Sequence, residues 1–69
     1  MAELGVTLNG QERKLPDGLT VSGLLEHLDL AGKPCAVEIN RAVIPRSTHA
    51  RHELHEGDQI EIVSFVGGG

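Results

Sequence analysis

Four histidines, one cysteine and a run of terminal glycines hold most of this chain's chemical options. His49, His52 and His55 recur at i, i+3 and i+6, with Glu53 between the last two. On a helix the first two would share a face, and the third would be turned away by about 120°. Zinc requires ligands that converge and are oriented by partners of their own, so no metal site is expected and the three read as solvated loop residues. His27 falls between the apolar positions Leu24 and Leu28 and reads as a surface residue. Cys35 could act as a nucleophile carrying a persulfide or thioester, with Lys33 as the nearby charge that would favour the thiolate. The competing reading is a small, half-buried cysteine. A single cysteine allows no intrachain disulfide. No Ser-His-Asp set is marked, and the phosphate-binding G-x-x-x-x-G-K-[ST] pattern is missing. No catalytic residue is expected, and the chain reads as a non-enzyme without an intrinsic cofactor.

The last option is the end of the chain, "SFVGGG", where an apolar run passes directly into Gly67, Gly68 and Gly69. Residues without a Cβ can enter a channel too narrow for side chains. Three of them, fully extended, reach about 10 Å. The terminal carboxylate is ionised at neutral pH. It is an oxygen nucleophile that another enzyme could adenylate with ATP, after which the mixed anhydride would accept sulfur or nitrogen. The alternative is ordinary terminal fraying. Holding glycine backbone in place costs about 1–2 kcal/mol per residue, so a working tail requires strong contacts from a partner. On the residues alone both readings stand.

The elements around these groups follow from pattern. Leu4, Val6 and Leu8 alternate with Gly5 and Thr7 as in a half-buried strand, and Asn9-Gly10 is a hairpin turn signal. A returning strand over residues 11–15 ends at the turn Pro16-Asp17-Gly18. Thr20 is placed to cap a helix whose apolar stripe is Val21, Leu24, Leu25 and Leu28. Gly23 stands where a full capping box would have Glu or Gln, and Gly32 and Pro34 are expected to close the helix. Cys35, Val37 and Ile39 alternate with Ala36, Glu38 and Asn40. Asn40-Arg41 reads as a turn, and Ala42, Val43 and Ile44 as a short strand stopped by Pro45. Residues 46–55 form a polar loop with one helical turn, anchored by Ala50 and Leu54. After a turn around Gly57-Asp58, the last strand covers residues 60–66. In that strand Ile60, Ile62 and Ser64 point one way, and Glu61, Val63 and Phe65 the other. One helix covers one face of a sheet, so Val63 and Phe65 are expected on the open face, as a partner-binding surface.

Together these elements make a small α+β domain with a mixed sheet of four to five strands and one main helix across one face. It becomes a β-grasp if the C-terminal strand pairs beside the first. The 69 residues are one domain over residues 1–66, followed by a flexible glycine tail over 67–69. Aliphatic side chains must supply the core, because the sole aromatic residue is Phe65. Ten acidic residues against six basic ones give a formal charge of −4, which lacks the basic footprint that nucleic acid requires. No stretch reads as a signal peptide or membrane span, so a cytoplasmic protein, monomeric when free, is expected.

Three stretches, "LNGQERKLPDGLTVSGLLEHLDL", "AVEINRAVIPRSTHA" and "LHEGDQIEIVSFVGGG", resemble the ThiS family of small sulfur carriers of thiamin biosynthesis. The resemblance runs from Leu8 to Gly69 and rests on Ala36-Val37-Glu38-Ile39-Asn40, Pro45-Arg46, Glu56-Gly57-Asp58 and the closing Gly68-Gly69. It implies a ubiquitin-like β-grasp fold. It further implies that a ThiF-type enzyme, using ATP and magnesium of its own, adenylates Gly69. A persulfide donor would then turn the acyl-adenylate into a thiocarboxylate, and a ThiG-type thiazole synthase would receive the sulfur. By position, Gly69 is the attachment site, Gly68 belongs to the diglycine and Gly67 is a spacer. Nothing transfers to Cys35 or the histidines. Two neighbouring functions share the same tail logic: a MoaD-like or tRNA-thiolation sulfur carrier, and a ubiquitin-like protein modifier. An interaction module with an inert tail is the remaining alternative.

Overall fold

The computed structural model describes residues 3–65. The expected tail residues Gly67, Gly68 and Gly69 therefore lie outside the described residues, as does Val66, the expected last residue of the final strand. In chain order the elements are β1 (Glu3–Leu8), β2 (Gln11–Pro16), α1 (Val21–His27), β3 (Cys35–Ile39), β4 (Ala42–Val43), a 3-10 turn (Arg46–Thr48) and β5 (Gln59–Ser64). They build one five-stranded sheet in the order β2-β1-β5-β3-β4. β1 and β5 run parallel, and the remaining pairs are antiparallel. Insertion of β5 between β1 and β3 is the step that local patterns left open. It makes the sheet mixed and gives the β-grasp arrangement.

The expected start of the helix is the observed one. Thr20 is extended, and its Oγ1 accepts the Gly23 N–H at 3.1 Å. A Cβ at Gly23 would stand 2.8 Å from Leu19 Cδ1, so a larger residue there would require the Leu19 side chain to shift. The end of the helix differs from expectation. Asp29, not Gly32, takes the left-handed conformation after the C-cap Leu28, at φ 64°. Its N–H bonds the Glu26 carbonyl and the Leu30 N–H bonds the Leu25 carbonyl, the paired bonds of a Schellman motif. Asp is one of the few side chains that tolerate this region, so the helix closes before its glycine.

α1 lies on the sheet face that carries Leu4, Val6, Leu8, Val37, Ile39, Ile60 and Ile62, all buried, and contributes Val21, Leu24 and Leu25. Fully burying each such side chain is worth about 1.5–3 kcal/mol, and an almost purely aliphatic core suffices for one small layer pair. Residues 46–55 seal one end of it. The His52 and His49 carbonyls accept the Val21 and Ser22 N–H groups at 2.9 and 3.0 Å, supplying two of the donors that a helix start leaves unpaired. Three loop expectations are corrected here. Ile44 lies beyond β4 but is buried, with its N–H on the Val37 carbonyl. Leu54 is an anchor as expected, whereas Ala50 is exposed. His49 is not solvated: it is buried, and its Nε2 stands 3.0 Å from the Ile44 carbonyl.

Candidate functional site

β5 is the strand that leads to the chain's terminal carboxylate, and the neighbouring turns are built to hold it. Its entry is the turn at Glu56-Gly57-Asp58. Glu56 Oε1 accepts the Gly5 N–H at 2.8 Å, and the Gly57 N–H bonds the Gly5 carbonyl at 2.7 Å. Gly57 has φ 86°, a conformation that glycine adopts without strain. Asp58 is buried and uses both oxygens, accepting from the His55 N–H at 2.9 Å and from Asn40 Nδ2 at 3.1 Å. Asn40 returns the contact, its Oδ1 accepting the Gln59 N–H at 3.0 Å. Asn40 also sits at φ 53° in the β3–β4 turn, so it shapes that turn and pins β5 at the same time. Glu56 also lines a pocket on the β1–β2 side with Glu12, Arg13 and Lys14. The polar contacts of these turns are braces.

Along β5 the side chains separate by parity as expected. Ile60 and Ile62 are buried against α1, while Val63 is 56% and Phe65 61% exposed. Val43, which pairs with Glu38 across β3–β4, is 67% exposed and shares this open face. Glu38 in turn stands directly opposite Glu61. The open face therefore presents three large apolar groups around two facing carboxylates. Like charges placed opposite each other on a sheet weaken it, so this pair is not explained by folding.

Sequence reasoning had no means of seeing the braces of β5. Asn40, Glu56 and Asp58 read locally as turn residues, and the contacts Asn40–Asp58, Asn40–Gln59 and Glu56–Gly5 join positions distant in the chain. Of the other candidates, Cys35, Lys33 and His49 line one pocket together with Glu26 and Arg46. Cys35 is a free, half-buried thiol packed against the core and paired opposite Ser64. His49 is buried, His52 half-buried, and His55 and His27 exposed. The carbonyl partner of His49 Nε2 can only accept, so that nitrogen carries the proton. Among the described residues no group of three or more His, Cys, Asp or Glu could hold a metal ion. Nor is any of their helices long and apolar enough to cross a membrane.

A five-stranded mixed sheet with β5 between β1 and β3 and one helix on one face is an architecture that known proteins share. The family model for ThiS matches residues 6–69. The chain belongs to the ThiS family. The sulfur carrier protein ThiS of Escherichia coli is 36% identical over 64 residues, covering 93% of this chain and 97% of that protein. The crystal structure of the thiamine biosynthesis protein ThiS from Geobacter metallireducens superposes with a TM-score of 0.80 at 30% identity, over 96% of this chain and all of that one. A thiazole synthase of Paramagnetospirillum magneticum is 39% identical over 64 residues, and there the chain spans only about a fifth of the relative's length (20%).

Membership in the ThiS family gives the motif residues a physical meaning. Asn40, Glu56, Gly57 and Asp58, on which the resemblance rested, all act on β5 or its entry. Pro45 starts the 3-10 turn, and Arg46 Nη2 reaches the Lys33 carbonyl at 3.4 Å. The Asn40 and Glu56-Gly57-Asp58 parts of the signature thus describe how the last strand is held.

Proposed function

We propose that this chain is a sulfur carrier for the thiazole part of thiamin, with the Gly69 carboxylate as the group that carries the sulfur. The observation behind this reading is the ThiS family match, which continues through residue 69 on a β-grasp head. A carboxylate oxygen of Gly69 attacks the α-phosphorus of ATP on a ThiF-type enzyme, and pyrophosphate leaves. A persulfide sulfur then attacks the acyl carbon and AMP departs, giving an acyl disulfide. A second thiol attacks the donor's own sulfur in that acyl disulfide, forming a disulfide with the donor, and the thiocarboxylate leaves with the transferred sulfur. ATP and magnesium belong to the activating enzyme, and this chain is the co-substrate. The thiazole synthase relative supports a ThiG-type acceptor, because the matched region there lies in one polypeptide with the remainder of that protein.

The head and the tail divide this work. Val63 and Phe65, with Val43 beside them, serve as the docking surface, since large apolar groups at an open face lose contact with water when a partner covers them. The facing Glu38 and Glu61 favour a partner that brings a lysine or arginine between them. From Phe65 onward, residues 66–69 can reach at most about 14 Å, enough to deliver a carboxylate into an enclosed active site without moving the head. Gly67 and Gly68 present no side chain to that channel.

ATP–pyrophosphate exchange on a ThiF-type enzyme tests this assignment. Exchange is expected with the full chain and is lost when Gly69 is removed. Equal exchange with and without Gly69 would contradict it.

A further inference from the structure

The two edges of β5 are held in different ways. β3 pairs with one edge from Ile39↔Ile60 as far as Cys35↔Ser64, and the Pro34 carbonyl then accepts the Phe65 N–H at 2.9 Å. On the other edge β1 pairs only at Thr7↔Gln59 and Leu8↔Ile60, because the chain reverses at Asn9-Gly10. The last main-chain bond there runs from the Asn9 N–H to the Ile60 carbonyl, at 2.8 Å. A side chain makes the next rung. Asn9 Oδ1 accepts the Ile62 N–H at 2.9 Å, and Asn9 Nδ2 donates to the Ile62 carbonyl at 3.3 Å. One carboxamide thus occupies both backbone groups of a residue 53 positions away, as a further peptide unit of β1 would.

We propose that Asn9 is a positioning residue for the carrier reaction: its amide extends the β1 edge by one rung and holds β5 through Ile62, fixing the direction in which Val63 and Phe65 leave the sheet. This rests on the sulfur-carrier reading, because the activating enzyme is the partner that reads this direction. The turn by itself accounts only for a residue that tolerates positive φ, and Asn9 has φ 49°. Asp or Gly would meet that requirement equally well. At neutral pH an amide of this length can both accept from an N–H and donate to a carbonyl of the same residue, which neither Gly nor an ionised Asp can do. A carboxylate at position 9 would set an anionic oxygen against the Ile62 carbonyl.

The functional consequence is preorganisation. Without the amide, Ile62 loses the partner of its N–H and carbonyl on the β1 edge, so the end of β5 opens locally more often while the core remains folded. The activating enzyme must then select the ordered fraction, and apparent affinity falls by that fraction. Once bound, the strand and the tail are the same as before. KM for the carrier therefore rises, and kcat is retained.

Two variants of the full chain separate the roles of Asn9. Asn9→Gly preserves the turn and removes the amide; Asn9→Asp preserves the acceptor and replaces the donor. For Asn9→Gly, amide hydrogen exchange at residues 62–65 is expected to quicken by about tenfold, with protection of Val6 and Leu24 unchanged. In adenylation by a ThiF-type enzyme, KM for the carrier should rise about threefold to tenfold with kcat within about twofold. Asn9→Asp should behave alike at neutral pH. Its exchange protection should return as pH falls through about 4, where the protonated carboxyl can donate to Ile62. Unchanged local exchange in Asn9→Gly, or faster local exchange with no change in KM, would overturn the proposal. A drop in kcat with KM constant would do so too. A wild-type chain that the enzyme leaves unadenylated overturns the carrier reading and the positioning role with it, whereas the exchange results still decide whether the amide clamps the strand.

Discussion

The two faces of the sheet obey different rules although they share the same strands. On the α1 face, Val6, Val37 and Ile60 are 3%, 1% and 1% exposed, and every side chain there meets another apolar group. On the open face, Val43, Val63 and Phe65 lie more than half exposed around the facing Glu38 and Glu61. Consecutive residues of β5, Ile62 and Val63, thus belong to two different problems. The first face pays for folding. The second is left unfavourable for the isolated chain, with apolar groups in water and carboxylates opposed, as expected of a surface completed by a partner.

That contrast can be broken experimentally, beginning where the effect is largest. Leu24→Ala on the helix face should cost about 2–5 kcal/mol in chemical denaturation, because a fully buried side chain leaves a cavity. A domain this small has little more than that to lose. Val63→Asp and Phe65→Asp should instead leave denaturation within about 0.5 kcal/mol of wild type. In calorimetric titration with the activating enzyme, the same two variants should bind about thirtyfold more weakly. Glu61→Gln is the smallest and most discriminating change. It should raise stability by about 0.2–1 kcal/mol by removing the like-charge pair, while weakening the partner complex and flattening its salt dependence. A Glu61→Gln chain that is less stable, or that binds more tightly, would remove the distinction between the faces.

The sequence already told these faces apart, because strand parity is a local property. The alternation of Leu4, Val6 and Leu8, the hairpin at Asn9-Gly10 and the cap at Thr20 all appear where neighbouring residues placed them. Legibility failed where the deciding partner is remote or two residues compete for one role. Asp29 took the left-handed position that Gly32 was expected to fill, since both tolerate it and the packing of Leu30 against the core selects the earlier stop. His49 gave no sign of burial, because the 3-10 turn that carries it inward and the Ile44 carbonyl that receives it are features of the folded loop. The second function of Asn9 was equally hidden. Its turn role already asks for a residue that tolerates positive φ, so nothing local points to a second task, and Ile62 lies far along the chain. The motifs of the candidate site were readable as a family signature, but their physical task, the bracing of β5, is visible only with the strands in place.

The central claim is that this braced strand delivers a carboxylate to be charged with sulfur. Intact-mass measurement after incubation with a ThiF-type enzyme, ATP and a persulfide donor with excess thiol tests it most directly. Exchange of the terminal oxygen for sulfur is expected to add about 16 Da, confined to the C-terminal fragment containing Gly69 and dependent on ATP. An unchanged mass with an enzyme competent on another ThiS protein would contradict the account, as would a ladder of conjugates joined to lysines of other proteins.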